Sequence, residues 1–66
     1  MKTTVNGEVR EVKAGATLAS LLAEIGAPSN GIAVAKNECV VRSGDYEAHE
    51  LVDGDRIEII KAVAGG

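Results

Sequence analysis

Phenylalanine and tryptophan are both missing from this sequence, and Tyr46 is its only aromatic residue. A core must therefore be packed from Val, Ile, Leu and Ala. The same lack removes the stacking platform that nucleic-acid binding needs, and no basic excess exists to replace it. Cys39 is the single cysteine, so no internal disulfide can form. No stretch approaches the roughly 20 apolar residues of a membrane span, and no apolar segment of signal-peptide length follows Met1. The cytoplasm is the expected compartment. The signatures G-x-S-x-G, H-E-x-x-H, C-x-x-C and the Walker phosphate loop are all absent. At 66 residues there is little room for an enclosed active site, and an enzyme with its own pocket is not expected.

Hydrophobic residues make up 45% of the chain and charged residues 26%, the balance of one folded domain rather than a disordered segment. The net charge of −3 arises in the second half, which carries Glu38, Asp45, Glu47, Glu50, Asp53, Asp55 and Glu58 against Lys36, Arg42, Arg56 and Lys61. A basic partner surface is the natural counterpart of such a distribution.

The segment KTTVNGEVREV sets Asn6-Gly7 between two runs rich in β-branched residues, which predicts a hairpin with a two-residue turn. In KAGATLASLLAEIG the period changes: Leu18, Leu21, Leu22 and Ile25 form one stripe of an amphipathic helix, with Thr17 as N-cap, Gly26 as its stop and Pro28 just beyond. GIAVAKN reads as a third strand, and ECVVRS, entered through Asn37-Glu38, as a fourth that can pair with it. Residues 43–50 are polar and irregular. A turn at Asp53-Gly54-Asp55 leads into a last strand with Ile57 and Ile59 on one face, Glu58 and Ile60 on the other. A hairpin, one crossing helix and further strands bury their apolar faces if the helix lies across one face of a small mixed sheet. This is an α+β fold, the β-grasp (ubiquitin-like) arrangement, in one domain spanning residues 1–66 with the last strand beside the first and a tail mobile after about Ala62.

Three features invite a chemical reading and fail it. His49 stands alone in a polar loop, where an exposed imidazole is the ordinary outcome, since a metal needs several convergent donors. Cys39 has Glu38 and Val40 as neighbours, not the cations or helix N-terminus that lower a thiol pKa, and reads as strand filler. Asp53-Gly54-Asp55 lacks the further oxygens of a calcium loop and is explained as a turn. The ending AVAGG is different. An α-carboxyl of pKa about 3.3 to 3.7 is an ionised oxygen nucleophile at neutral pH, able to attack the α-phosphate of ATP if a partner positions both. Glycines without Cβ let the tail enter a narrow channel and leave the carbonyl open to a second nucleophile.

The helix GATLASLLAEIG, the strand pair GIAVAKNECVV, the turn and strand DGDRIEIIKAV and the final Gly65-Gly66 together resemble the ThiS family, small ubiquitin-like sulfur carriers of thiamine biosynthesis, over essentially the whole chain. The resemblance implies a carrier rather than a catalyst. An E1-like adenylating enzyme of the ThiF type would use ATP and Mg²⁺ to adenylate Gly66. Sulfur would then arrive from a persulfide, and the thiocarboxylate would feed a thiazole synthase of the ThiG type. Val63, Ala64 and Gly65 would thread the partner's channel; many family members have glycine where Ala64 stands, so this tail is expected to be somewhat stiffer. The chain itself would bind no cofactor or metal and would be monomeric when free.

Ile60, if the helix covers Ile57 and Ile59, is expected to be exposed near the tail and to join Val41 in an apolar docking patch; the alternative is that it packs under the loop of residues 43–50. Two other functions remain open on the residues alone. One is a related β-grasp carrier serving molybdopterin or cysteine synthesis or protein conjugation, distinguished only by its partner. The other is a β-grasp interaction module whose glycine tail is inert.

Overall fold

The chain opens with the hairpin that Asn6-Gly7 announces: β1 (Lys2–Val5) and β2 (Glu8–Glu11) pair antiparallel, with Val5 opposite Glu8. Asn6 (φ 49°) and Gly7 (φ 84°) both adopt the left-handed conformation that a two-residue turn between twisted strands requires. The computed structural model describes residues 1–28 and 31–61. Ala62 and the tail residues Val63, Ala64, Gly65 and Gly66 lie outside the described residues, and with them the mobility expected of that segment.

Helix α1 (Leu18–Glu24) forms for the reasons its spacing suggests. Thr17 Oγ1 accepts from Ser20 N–H while Ser20 Oγ accepts from Thr17 N–H, a reciprocal capping box built on serine in place of the more common glutamate. At the other end Gly26 has φ 76°, its N–H donates to Ala23 O, and Ala27 N–H donates to Leu22 O, the two bonds of a Schellman stop. Leu18, Leu21 and Leu22 are buried and Ile25 half-buried, so the apolar stripe faces the sheet.

The sheet has five strands in the order β2-β1-β5-β3-β4, with β3 at Ile32–Lys36, β4 at Cys39–Val41 and β5 at Arg56–Lys61. The last strand runs parallel to β1 and antiparallel to β3, and so occupies the middle. One helix over a mixed sheet with a central C-terminal strand is the β-grasp architecture. Val5, Val12, Leu18, Leu21, Leu22, Val34, Val41, Leu51 and Ile57 form the core. Residues 43–50 are less irregular than their composition suggests: Ser43–Asp45 is a 3-10 turn, and the segment is tied to the start of α1 by Ala19 N–H to Tyr46 O, Leu18 N–H to His49 O and Leu51 N–H to Ala16 O.

Thr3 is the anomaly of this interior. Its side chain points into the core at 1% exposure, and Oγ1 has no hydrogen-bond partner among the described residues. A buried unpaired hydroxyl costs about 1–3 kcal/mol. Thr3→Val keeps the shape and removes that cost, so a gain near 1 kcal/mol and a rise in melting temperature of about 4–8 °C are expected. A lower melting temperature in a thermal scan would show that the hydroxyl is bonded after all.

Candidate functional site

Strand β5, the central strand, organises the outer face of the sheet. Alternation along this strand buries Ile57 and half-buries Ile59 on the helix side, and turns Arg56, Glu58 and Ile60 to the open side. Directly opposed residues of neighbouring strands share a face, so the register assigns the outer surface. Ala33 is opposite Ile60, Ala35 opposite Glu58, and Val40 opposite Ala35. Ile60 is 60% exposed and Val40 77% exposed. With the small side chains of Ala33 and Ala35 between them, they form an apolar strip running across three strands from β4 to the end of β5.

This corrects the expectation for Val41. The two-residue turn at Asn37-Glu38 sets Lys36 against Cys39, which puts Val41 opposite Val34. Val34 packs under α1, so Val41 is in the core at 6% exposure, and Val40 takes the outward position. Ile60 is outward as anticipated, and the loop of residues 43–50 is bonded to the helix start rather than laid over Ile60. The sequence held the signal for Val40, because counting from a two-residue turn gives the register directly.

Charge borders the strip. Glu58 lies within the sheet face, and Arg56 meets Glu38 at 3.8 Å with both side chains largely exposed, an ion pair worth little in stability. Glu38 belongs to the turn at the β4 end, so acidic groups stand along the strip rather than at its centre.

The other anticipated candidates are placed as follows. Cys39 is exposed at the first position of β4. His49 is half-buried rather than exposed, and its main-chain carbonyl rather than its ring does the structural work, accepting from Leu18 N–H at 2.9 Å. Asp53 and Asp55 have roles finer than a generic turn: Asp53 Oδ1 accepts from Lys2 N–H at 2.7 Å, while the buried Asp55 accepts from Asn37 Nδ2 and from Val52 N–H, each at 2.9 Å. Both carboxylates are therefore spent on holding the entry to β5. Among the described residues no three His, Cys, Asp or Glu side chains converge as a metal centre requires. No helix among them is long and apolar enough to cross a membrane.

β5 ends at Lys61, opposite Ile32. Beside that end lies a shallow groove of about 240 Å³ between Asn6, Gly26, Pro28, Ile32, Ile59 and Lys61. A central strand bonded on both edges thus delivers the chain to one rim of the domain, next to the apolar strip.

Comparison with known proteins sets this geometry in context. The pattern of the ThiS family matches residues 3–66. The sulfur carrier protein ThiS of Escherichia coli is 30% identical over 66 residues, covering both chains in full. A thiazole synthase of Paramagnetospirillum magneticum is 38% identical over 66 residues, all of this chain but only 20% of that protein. The chain thus spans about a fifth of the length of that relative. The crystal structure of a thiamine biosynthesis protein (ThiS) from Geobacter metallireducens superposes with a TM-score of 0.87 at 28% identity, with both chains fully covered.

Proposed function

The chain belongs to the ThiS family, and from that premise we propose that it is a sulfur carrier protein of thiamine biosynthesis, a cytoplasmic co-substrate of partner enzymes rather than an enzyme. The full-length match to a sulfur carrier, at both ends of both chains, is the observation that carries this reading. In this reading the chemistry is supplied by partners, and this domain supplies a handle and a carboxylate.

In the proposed cycle a Gly66 carboxylate oxygen attacks the α-phosphorus of ATP in a ThiF-type enzyme, which holds Mg²⁺; an acyl adenylate forms and pyrophosphate leaves. Hydrosulfide, or a persulfide sulfur whose S–S bond a thiol then cleaves, attacks the acyl carbon and expels AMP. Gly66 then bears the thiocarboxylate. Val63, Ala64 and Gly65 occupy the narrow approach to the partner's site. A ThiG-type thiazole synthase is proposed as the acceptor, since a stretch like this chain forms one-fifth of a protein named for that activity.

The test is intact-mass analysis after incubation with ATP, sulfide and the adenylating enzyme of the same organism. Replacement of one oxygen by one sulfur, placed on Gly66 by fragmentation, is expected. An unchanged mass beside a demonstrably active partner would move the weight to an inert-tailed interaction module.

The strip of Val40, Ala35, Ala33 and Ile60 is the proposed handle, an apolar centre edged by charge. Ile60→Asp is expected to raise the concentration of carrier needed for half-maximal loading by roughly tenfold, about 1.4 kcal/mol, because a buried contact becomes a desolvated charge. Stability should change little at a position 60% exposed. Loading at the ordinary concentration would place the handle elsewhere.

A further inference from the structure

Strand β1 pairs with β5 only through Thr4 with Arg56 and Val5 with Ile57, after which the chain turns away at Asn6-Gly7. Asn6 N–H still donates to Ile57 O at 2.9 Å, but no backbone of β1 remains to meet Ile59. The side chain of Asn6 meets it instead. Oδ1 accepts from Ile59 N–H at 2.8 Å, and Nδ2 donates to Ile59 O at 3.3 Å. The carboxamide thus stands in for the next acceptor and the next donor of the missing strand.

The demands on this position are unusually narrow. A φ of 49° favours Asn, Asp or Gly. Of these three, only Asn has a side chain that can both accept from N–H and donate to C=O, and its carboxamide does so through its two terminal atoms. The turn itself needs only the first property, so the second is an additional function of the residue.

We infer that Asn6 is a positioning residue for the sulfur-accepting end: it secures β5 at Ile59, two residues before the strand ends, and so fixes where and in which direction the segment carrying Gly66 leaves the domain. This rests on the carrier reading. Without the clamp the last residues of β5 are held along the β3 edge alone. Release of residues 59–61 would lengthen the path in sequence from the last strand-held residue to Gly66 from five residues to eight. The effective concentration of its end, falling as about the −3/2 power of length, would drop roughly twofold, before any loss of direction.

β5 provides its own control. Asn37, also left-handed at φ 51°, clamps the opposite end, accepting from Arg56 N–H and donating to Asp55 Oδ1, each at 2.9 Å. Glycine at either position keeps the turn and deletes the clamp. A purely structural effect lowers the concentration of folded carrier and so acts on KM; positioning acts on kcat at saturating carrier. The experiment measures sulfur loading with the adenylating enzyme, ATP and sulfide, and amide exchange at Ile59, for wild type, N6G, N6D and N37G.

N6G is expected to lower kcat about two- to fivefold and to speed exchange at Ile59. N6D, which keeps the acceptor for Ile59 N–H but loses the donor, should fall between. N37G should leave kcat within about 1.5-fold of wild type although it strips a partner from the buried Asp55. Unchanged kcat in N6G, an equal loss in N37G, or unaltered exchange at Ile59 would overturn the inference while wild-type loading stands. A wild-type chain that takes up no sulfur would overturn the carrier reading itself, and the role of Asn6 with it.

Discussion

One extra residue after Gly66 is expected to abolish sulfur loading while leaving the fold untouched. The extension turns the reacting carboxylate into an amide, which carries no ionised oxygen, and moves the nearest free carboxylate outward by about 3.3–3.6 Å. Reacting atoms must approach within about 3–3.5 Å in the right orientation, and a displacement of about 1 Å can cost a factor near 10². A shift of a whole residue exceeds that tolerance severalfold. Deleting Gly66 retracts the carboxylate by the same step and should be equally damaging. Neither change touches residues 1–61, so thermal unfolding should match wild type, which separates lost chemistry from lost structure. Intact-mass analysis reads the outcome directly: an extended chain that gains sulfur at the ordinary rate would remove Gly66 from its proposed role and favour an inert tail.

The elements of this fold were legible where local chemistry and periodicity agree. Asn6-Gly7 between β-branched runs could hardly be anything but a hairpin turn, and Thr17, the leucine stripe and Gly26 bracket a helix that forms between those limits. The place of β5 beside β1 was the expectation, and with right-handed connections it puts β5 in the middle of the sheet, where the strand order has it. What composition does not show is which of two adjacent valines faces out: Val40 and Val41 are the same residue type, and only the register from the Asn37-Glu38 turn tells them apart. The double use of the two asparagines was hidden for a related reason. Their turn-forming property is local in sequence, whereas their amide partners lie 53 and 18 or 19 positions away. A single sequence displays the first and conceals the second.

The placement of the handle follows from the same topology. A strand at the edge of a sheet would leave its terminal segment on a mobile margin, but β5 is bonded to β1, to Asn6 and to β3, and delivers its end from the most constrained strand. The apolar strip shares that strand through Ile60. In the proposed cycle, docking through the strip would also orient the point at which the chain leaves β5, because both depend on one strand.

That dependence makes the small core decisive, and Leu18→Ala is expected to be the most damaging single substitution in the described interior. Leu18 is 0% exposed at the first helical position, and its N–H donates to His49 O at 2.9 Å, so its side chain and backbone together join α1 to the loop that precedes β5. Removing a fully buried leucine side chain costs about 2–5 kcal/mol. At about 0.05–0.15 kcal/mol per residue, a domain of this length has only about 3–10 kcal/mol in total. A loss near 3 kcal/mol would lower the melting temperature by roughly 12–24 °C. With no aromatic side chain in the neighbourhood except the half-buried Tyr46, the interior has few large groups able to close the cavity. Val52→Ala, at a position 60% exposed, should stay within about 0.5 kcal/mol of wild type and serves as the control. If the two variants melt together, the helix is held by something other than its leucine face. If they separate as expected, loading by Leu18→Ala measured well below its melting point should retain the wild-type kcat, because the folded fraction still presents β5, the strip and the tail as before.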